Sequence, residues 1–283
     1  MKREKVKSAH AKYTPLMNLA SVLLTIYCMV VVYMLLFLIM NSFKTKEDLI
    51  YNTMWIPKEF TWENVKKVIF EDHFLRSLRN SIIITASSVL GVVTMASMTA
   101  YGLTRYKFKL QGVLKTYFIL GMMFPLQLGI LPLFIMMRNL NLINSYFSMI
   151  LLHTASISLP VFIFSTFFKT LPYALYESAR IDGAGEFLIY LKIMMPLSKP
   201  IILTQALLTI IGVWNSFFFP MVFLQRENMH TVTLVVYKYM TALAQKWGSA
   251  FPAATMAVLP VVIVFVFFSE QIISGIAQGA IKQ

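Results

Sequence analysis

Apolar residues run through this chain in long blocks, and charged residues fall almost entirely between them. Six uncharged stretches stand out: Leu16–Met40, Ser81–Leu103, Thr116–Met137, Tyr146–Phe168, Ile201–Leu224 and Ser249–Ser269. Each has about the 20 residues that an α-helix needs to cross ~30 Å of hydrocarbon. The last is expected to continue past Glu270 to about residue 273. The pattern predicts an all-α, polytopic membrane protein with six transmembrane helices, spanning about 16–40, 81–103, 116–137, 146–168, 201–224 and 249–273. Pro125, Pro132, Pro160, Pro220 and Pro260 lie inside these blocks. Prolines are tolerated in spans where neighbours satisfy the freed carbonyls, so bent helices are expected.

Composition agrees with this reading. The 283 residues are 58% hydrophobic and only 13% charged, where a soluble domain is typically ~25% charged. The net charge of +13 would suit nucleic acid, but the basic residues sit beside apolar blocks, as membrane topology requires. Lys2, Arg3, Lys5, Lys7 and Lys12 precede the first block. That block is longer than the ~7–15 residues of a signal-peptide core, so it reads as a retained first span. The lone cysteine, Cys28, lies within it and reads as a small buried hydrophobe.

Charge also orients the chain. The segment Arg105-Tyr106-Lys107-Phe108-Lys109 has bases and no acid, whereas the segment between the first two spans holds Glu47, Asp48, Glu59, Glu63, Glu71 and Asp72. Positive-inside bias therefore puts the N-terminus in the cytosol. Residues 1–15 become a cytosolic N-terminus, 16–275 a single transmembrane domain and 276–283 a cytosolic tail. In the first outer segment Thr61 reads as the cap of a short helix carrying Trp62, Val65 and Ile69 near one face. That helix reads equally as a binding-protein contact or as one resting on lipid headgroups.

One polar interval is long enough to do something other than connect. Residues 171–200, LPYALYESARIDGAGEFLIYLKIMMPLSKP, carry Glu177, Arg180, Asp182, Glu186 and Lys192. Each charge would cost about 2.5–3.5 kcal/mol at a bilayer centre, so the interval lies in water between the fourth and fifth spans. Thr170 and Pro172 read as a helix start. Asp182-Gly183 reads as a turn. Phe187, Tyr190, Leu191 and Met194 recur at helical spacing, and Pro196 is expected to stop that second helix by driving Met195 out of the helical region. The sum is two short amphipathic helices joined by a glycine elbow, facing the cytosol.

The order Glu177-Ser178-Ala179, Asp182-Gly183-Ala184, Phe187, Ile193, Pro196 resembles the Glu-Ala-Ala loop of the permease subunits of binding-protein-dependent ABC importers. With Leu197-Ser198-Lys199-Pro200 it looks like the maltose-type carbohydrate branch, on the side of the second permease. Ser178 departs from the usual alanine and is also small. Pro57 to Asn64, Arg79-Asn80-Ser81, Tyr101 to Tyr106, Asn139 to Leu142, Trp214 to Phe217 and the glycine-spaced end from Gly275 to Lys282 are similar in kind.

The resemblance implies a multi-pass subunit of a prokaryotic plasma membrane, moving a sugar or oligosaccharide by alternating access. It implies a related second permease, a dimer of ATPase subunits that bind and hydrolyse ATP with Mg, and an extracytoplasmic solute-binding protein as partners. It implies an ATPase-coupling role for Glu177, Ser178, Ala179, Asp182, Gly183, Ala184 and Pro196. Arg180 and Glu186 read equally as part of that surface or as a solvated face. A non-sugar cargo such as a polyamine is the near alternative.

The residues exclude other chemistry. No Gly-x-x-x-x-Gly-Lys-Ser/Thr phosphate loop occurs. His10, His73, His153 and His230 lack metal-ligand spacing. The chain therefore reads as no enzyme and as holding no cofactor of its own. No Asp or Glu lies in the core of a span, which argues against an ion-coupled carrier. His153 with Thr154, Ser156 and Ser158 reads either as part of a hydrophilic path or as interhelical packing. Trp214 and Asn215 pair an aromatic plate with an amide, which suits a sugar ring or a gate.

Overall fold

The computed structural model describes the backbone of residues 2–241 and 246–280, and the side chains of residues 17–241 and 246–268. All described regular structure is helical. In chain order it comprises α1 (Lys2–Ser42), α2 (Lys46–Tyr51), α3 (Glu63–Lys66), α4 (Phe74–Arg105), α5 (Gln111–Met123), α6 (Ile130–Asn139), α7 (Tyr146–Ala155), α8 (Ser158–Phe168), α9 (Tyr173–Ile181), α10 (Glu186–Ile189), α11 (Met195–Leu197), α12 (Lys199–Trp214), α13 (Phe218–Phe223), α14 (Val232–Thr241) and α15 (Trp247–Ala280).

Two compact units emerge, residues 1–72 with 242–256, and residues 73–241 with 257–283. In the first, Phe37 meets Phe251 edge-on and the Ser42 and Thr255 hydroxyls lie 2.9 Å apart. Lys44 is fully buried, and its Nζ donates to the carbonyls of Asn52 and Thr53. Burial pushes its pKa down, against the opposing pull of Asp48. Thr61 Oγ1 accepts from the Glu63 N–H, but α3 is one turn long and runs into a π turn over Lys67–Glu71. Asn64 and Val68 are therefore buried, while Trp62 is exposed and packs edge-on against Phe43. Of the expected Trp62–Val65–Ile69 face, Val65 and Ile69 are half-buried. Cys28 is exposed on α1 among the described residues, rather than buried.

In the second unit α4 is the hub, packed against α7, α8, α12 and α14. Its small and apolar positions Ala96, Ala100 and Leu103 join Val161, Phe164 and Phe168 of α8 in one core. Ile84, Met149, Leu152, Val213 and Phe223 form a second.

Three described helices are long and apolar enough to cross a membrane: Met17–Ser42, Phe74–Arg105 and Trp247–Phe268. Three bent pairs pass the same test together, giving up to six. The expected 116–137 block is two helices meeting at 91°. Pro125 sits at that break in an extended conformation and withholds its N–H. The 146–168 block bends by 45° between α7 and α8. The 201–224 block is not one helix either: α12 ends at Trp214, and α13 restarts three residues later with Pro220 in its first turn. Glu270 and the 276–283 tail have side chains outside the described residues; the backbone of the tail continues α15 to Ala280.

Candidate functional site

The 171–200 interval folds as an elbow. α9 starts after Pro172, whose φ of −56° and ψ of 128° lead the chain into the helix. Contrary to the expectation from sequence, the Thr170 hydroxyl does not cap it; it donates back to the Phe167 carbonyl at 2.7 Å. The end of α9 is a Schellman motif: Ala184 N–H donates to Ala179 O and Gly183 N–H to Arg180 O. Gly183 has a φ of +79°, and a Cβ there would meet nothing within 4 Å. Glycine is therefore needed for its backbone angle, which costs an L-residue ~1–2 kcal/mol, and not for space.

The second arm differs from its sequence pattern. α10 gives way to a π turn over Tyr190–Met194, and Met195 stays helical at φ −65°, ψ −47°. Pro196 therefore sits inside α11 instead of ending the helix, because the widened turn just before it accommodates the ring. The arm ends at Ser198, which is fully buried and donates through N–H and Oγ to the Met194 carbonyl. The extra residue per turn also rotates the buried face. Ile189, Tyr190 and Met194 are buried, while Phe187 and Leu191 are exposed.

These turns sort the predicted residues onto two sides. Glu177, Ser178, Asp182, Gly183 and Pro196 are exposed, with Ile181 beside them. Ala179 is buried and Ala184 partly so, both against the chain's own core.

On the inner side is an arrangement that sequence left ambiguous. Glu186 accepts from Tyr176 Oη at 2.7 Å and Tyr101 Oη at 2.9 Å, and its carboxylate lies 3.5 Å from the Arg180 guanidinium. Arg105 stacks 5.8 Å from the ring centres of both Tyr173 and Tyr176. Tyr190 shares a 2.8 Å hydrogen bond with Ser97 of α4. Burial alone would raise the Glu186 pKa. The hydroxyls of Tyr176, Tyr106 and Tyr101 together with Arg180 more than offset that and hold it below the usual carboxylate range. Tyr106 is pushed up to about 12, first by burial and then by Glu186. Arg180 is raised by its hydrogen bond to Tyr176 and by the nearby Glu186. The elbow is thus tied to the Arg105 end of α4. A glutamate opening a helix, with tyrosines on two other segments, was the available signal, but nothing in the spacing says that they meet.

The Phe74 end of α4 has a matching clamp. Asn80, fully buried, donates to the carbonyls of Asn228 and His230 at 3.0 and 2.9 Å and accepts from Tyr146 Oη at 2.7 Å. Ser81 Oγ accepts from the Val232 N–H. Asn144, at φ 59°, accepts from the Arg226 N–H through its side chain.

The polar residues within the apolar blocks do not converge on one cavity. Thr154 of α7 lies so close to Gly91 of α4 that a Cβ there would clash with its hydroxyl. His153 Nε2 and Thr154 Oγ1 are buried with no hydrogen-bond partner among the described residues. Ser156 marks the α7–α8 bend, donates to the Leu152 carbonyl, and lines a cavity of about 500 Å³ with Gly121, Met137 and Leu152. Trp214 lines a separate apolar cavity of about 440 Å³ with Thr85 and Pro260. Its indole N–H is taken by the Ala257 carbonyl at 3.1 Å, and its own carbonyl accepts from Thr233. Asn215 is exposed, and its backbone N–H closes α12 onto Ile211.

Comparisons with known proteins bear on this geometry. Over its full length the chain is 30% identical to the multiple sugar-binding transport system permease protein of Streptococcus mutans, covering 100% of both. It is 32% identical over 248 residues to the melibiose/raffinose/stachyose import permease protein of Bacillus subtilis, covering 87% of this chain and 89% of that one. The fold matches a crystal structure of a bacterial ABC transporter involved in the import of the acidic polysaccharide alginate, with a TM-score of 0.83 and 22% identity, over 92% of this chain and 97% of that one. Residues 92–277, which include the whole elbow, match the binding-protein-dependent transport system inner membrane components. The chain is a membrane-embedded ABC transporter permease and belongs to that family.

Proposed function

We propose that this chain is a transmembrane subunit of an ATP-driven importer for a sugar or oligosaccharide. The observation that carries the reading is similarity over 87% to 100% of the chain to permeases named for sugar import, joined to an elbow that presents Glu177, Ser178 and Asp182 outward. The α5–α6 pair, the α7–α8 pair and α12 with α13 then complete six spans, with both termini and the elbow in the cytosol of a prokaryotic cell. The exposed face of the elbow receives a separate ATPase subunit, which binds and hydrolyses ATP with Mg. A carboxylate such as Glu177 accepts charge-assisted hydrogen bonds from that partner. The importer is completed by a second, related permease, a second ATPase copy and an extracytoplasmic binding protein. ATP binding shifts the population between inward-open and outward-open states, and the elbow supplies the differential contact.

Uptake of labelled mono- and oligosaccharides in a strain lacking this chain tests the cargo. Unchanged uptake of every sugar, with loss of polyamine uptake, would move it to the non-sugar branch. Cysteines at position 178 should cross-link to the ATPase; labelling of that position only from outside the cell would overturn both the topology and the coupling role.

A further inference from the structure

α4 is unbroken from Phe74 to Arg105, whereas three of the other apolar blocks are bent or interrupted. It also has a hydrogen-bonded polar clamp near each end. At one end Tyr101 Oη donates to Glu186, which also holds Tyr176 and Arg180, so both arms of the elbow are gripped through one carboxylate. Tyr190 and Ser97 add a second tie one turn further in. At the other end Asn80 and Ser81 hold three alternate backbone positions leading into α14, through Asn228 O, His230 O and Val232 N. Tyr146 orients the Asn80 amide from α7. Asn80 and Tyr101 lie roughly 30 Å apart along the helix at ~1.5 Å per residue, the thickness of the hydrocarbon layer.

Side-chain packing alone would let either end slide by a rotamer. A hydrogen-bonded polar cluster resists this, because parting it leaves buried donors and acceptors without partners. Segments gripped in this way follow the helix when it moves. The gripped outer segment, residues 225–231, is otherwise short of regular structure, with one 3₁₀ turn at Glu227–Met229, and exposes Arg226 and Glu227.

We propose that α4 is a strut that transmits displacement of the elbow to the outer segment 225–231, with Glu186 and Asn80 as positioning residues that bolt its two ends. The proposal rests on the elbow being the ATPase contact. It adds that the motion leaves the elbow through Glu186 and one straight helix, and that its destination is a named stretch of chain on the far side.

The test uses the complete importer in proteoliposomes with its binding protein and reads two quantities. The first is substrate imported per ATP hydrolysed. The second is the ATP-driven change in fluorescence of a thiol probe at Glu227→Cys, in a Cys28→Ala background. Tyr101→Phe and Tyr146→Phe each delete one hydroxyl and leave the apolar packing in place. Asn80→Ala removes the outer bolt. All three should lower import per ATP several-fold and flatten the probe response, whereas Thr166→Ala on α8, whose hydroxyl only bonds its own helix, should change neither. Import per ATP and probe response that stay at wild-type values in Tyr101→Phe and Asn80→Ala would overturn the strut. So would uptake and hydrolysis falling in proportion, since that is loss of folded complex and not of transmission. Failure of the underlying coupling reading looks different: Gly183→Pro and Glu177→Lys would then leave uptake intact whatever the strut variants do.

Discussion

Glu177 and Glu186 lie on the two sides of the elbow, and they are in opposite situations. Glu177 stands exposed on the outward side among Ser178, Ile181 and Asp182. Glu186 is held on the inward side by two tyrosine hydroxyls and an arginine. The difference teaches how an elbow with the proposed coupling role is built: one face is free to be met and the other is fixed to the helix behind it. A charge left solvated costs the subunit little on its own and is available to a partner. A charge satisfied internally is of no use to a partner, but it makes the contact behind it stiff.

The largest effects should come from breaking the outward side or the hinge beneath it. Gly183→Pro cannot reach a φ of +79° and deletes the N–H that bonds Arg180 O, a local cost of ~3 kcal/mol or more. Uptake should fall to background while immunoblots find normal amounts of the chain in membranes. Glu177→Lys should likewise abolish uptake. Its thermal midpoint in detergent should stay at wild type, because substitutions at exposed sites usually stay within ~0.5 kcal/mol. A clear loss of stability there would show that Glu177 is structural.

Glu186→Ala should do the reverse in stability. It leaves two tyrosine hydroxyls without their acceptor, a cost of about 1–3 kcal/mol, visible as a lower thermal midpoint. If Glu177→Lys and Glu186→Ala had equal midpoints, the contrast between the two faces would fail. A smaller effect is expected for Trp214→Phe, which removes the donor to Ala257 O at about 1 kcal/mol. A stability loss accompanied by unchanged substrate affinity would mark the indole as structural.

The smallest effects concern pH and sharpen the same contrast. The Glu186 pKa is depressed in the fold. The stability it contributes is therefore present above its unfolded value of ~4.3 and lost only as pH falls through the lower folded value. Its contribution should be flat between pH ~6 and ~8. His230 is buried beside Lys238, and burial first, then that lysine, pushes its pKa down. Its contribution is present above ~6.5 and lost as pH falls toward the folded value. Thermal midpoints should thus decline modestly between pH ~7 and ~5 in wild type and less in His230→Gln. An identical decline in both would remove His230 from the account.

Several elements were legible because they depend on local chemistry. Uncharged blocks of about 20 residues form apolar helices or broken pairs of them, and Asp182-Gly183 after a helix favours a turn. The elbow's outward residues were legible for the same reason, since charges that lipid excludes must face water. The inward residues were not. Phe187 and Leu191 keep helical spacing in the sequence, yet a π turn rotates them outward. Pro196 looks like a stop, yet the same turn absorbs it.

By itself, then, the amino-acid order determined the class of fold, the apolar blocks, the position of the glycine turn and the family resemblance, because hydrophobicity and backbone sterics act over a few residues. Only the tertiary structure decided which carboxylate is free and which is tied, that Trp214 uses its N–H within the chain, and that Asn80 and Glu186 clamp the two ends of one helix. Those outcomes depend on partners up to 150 positions away. No local spacing reports which distant donor will reach a buried acceptor, since that is fixed only when the helices pack.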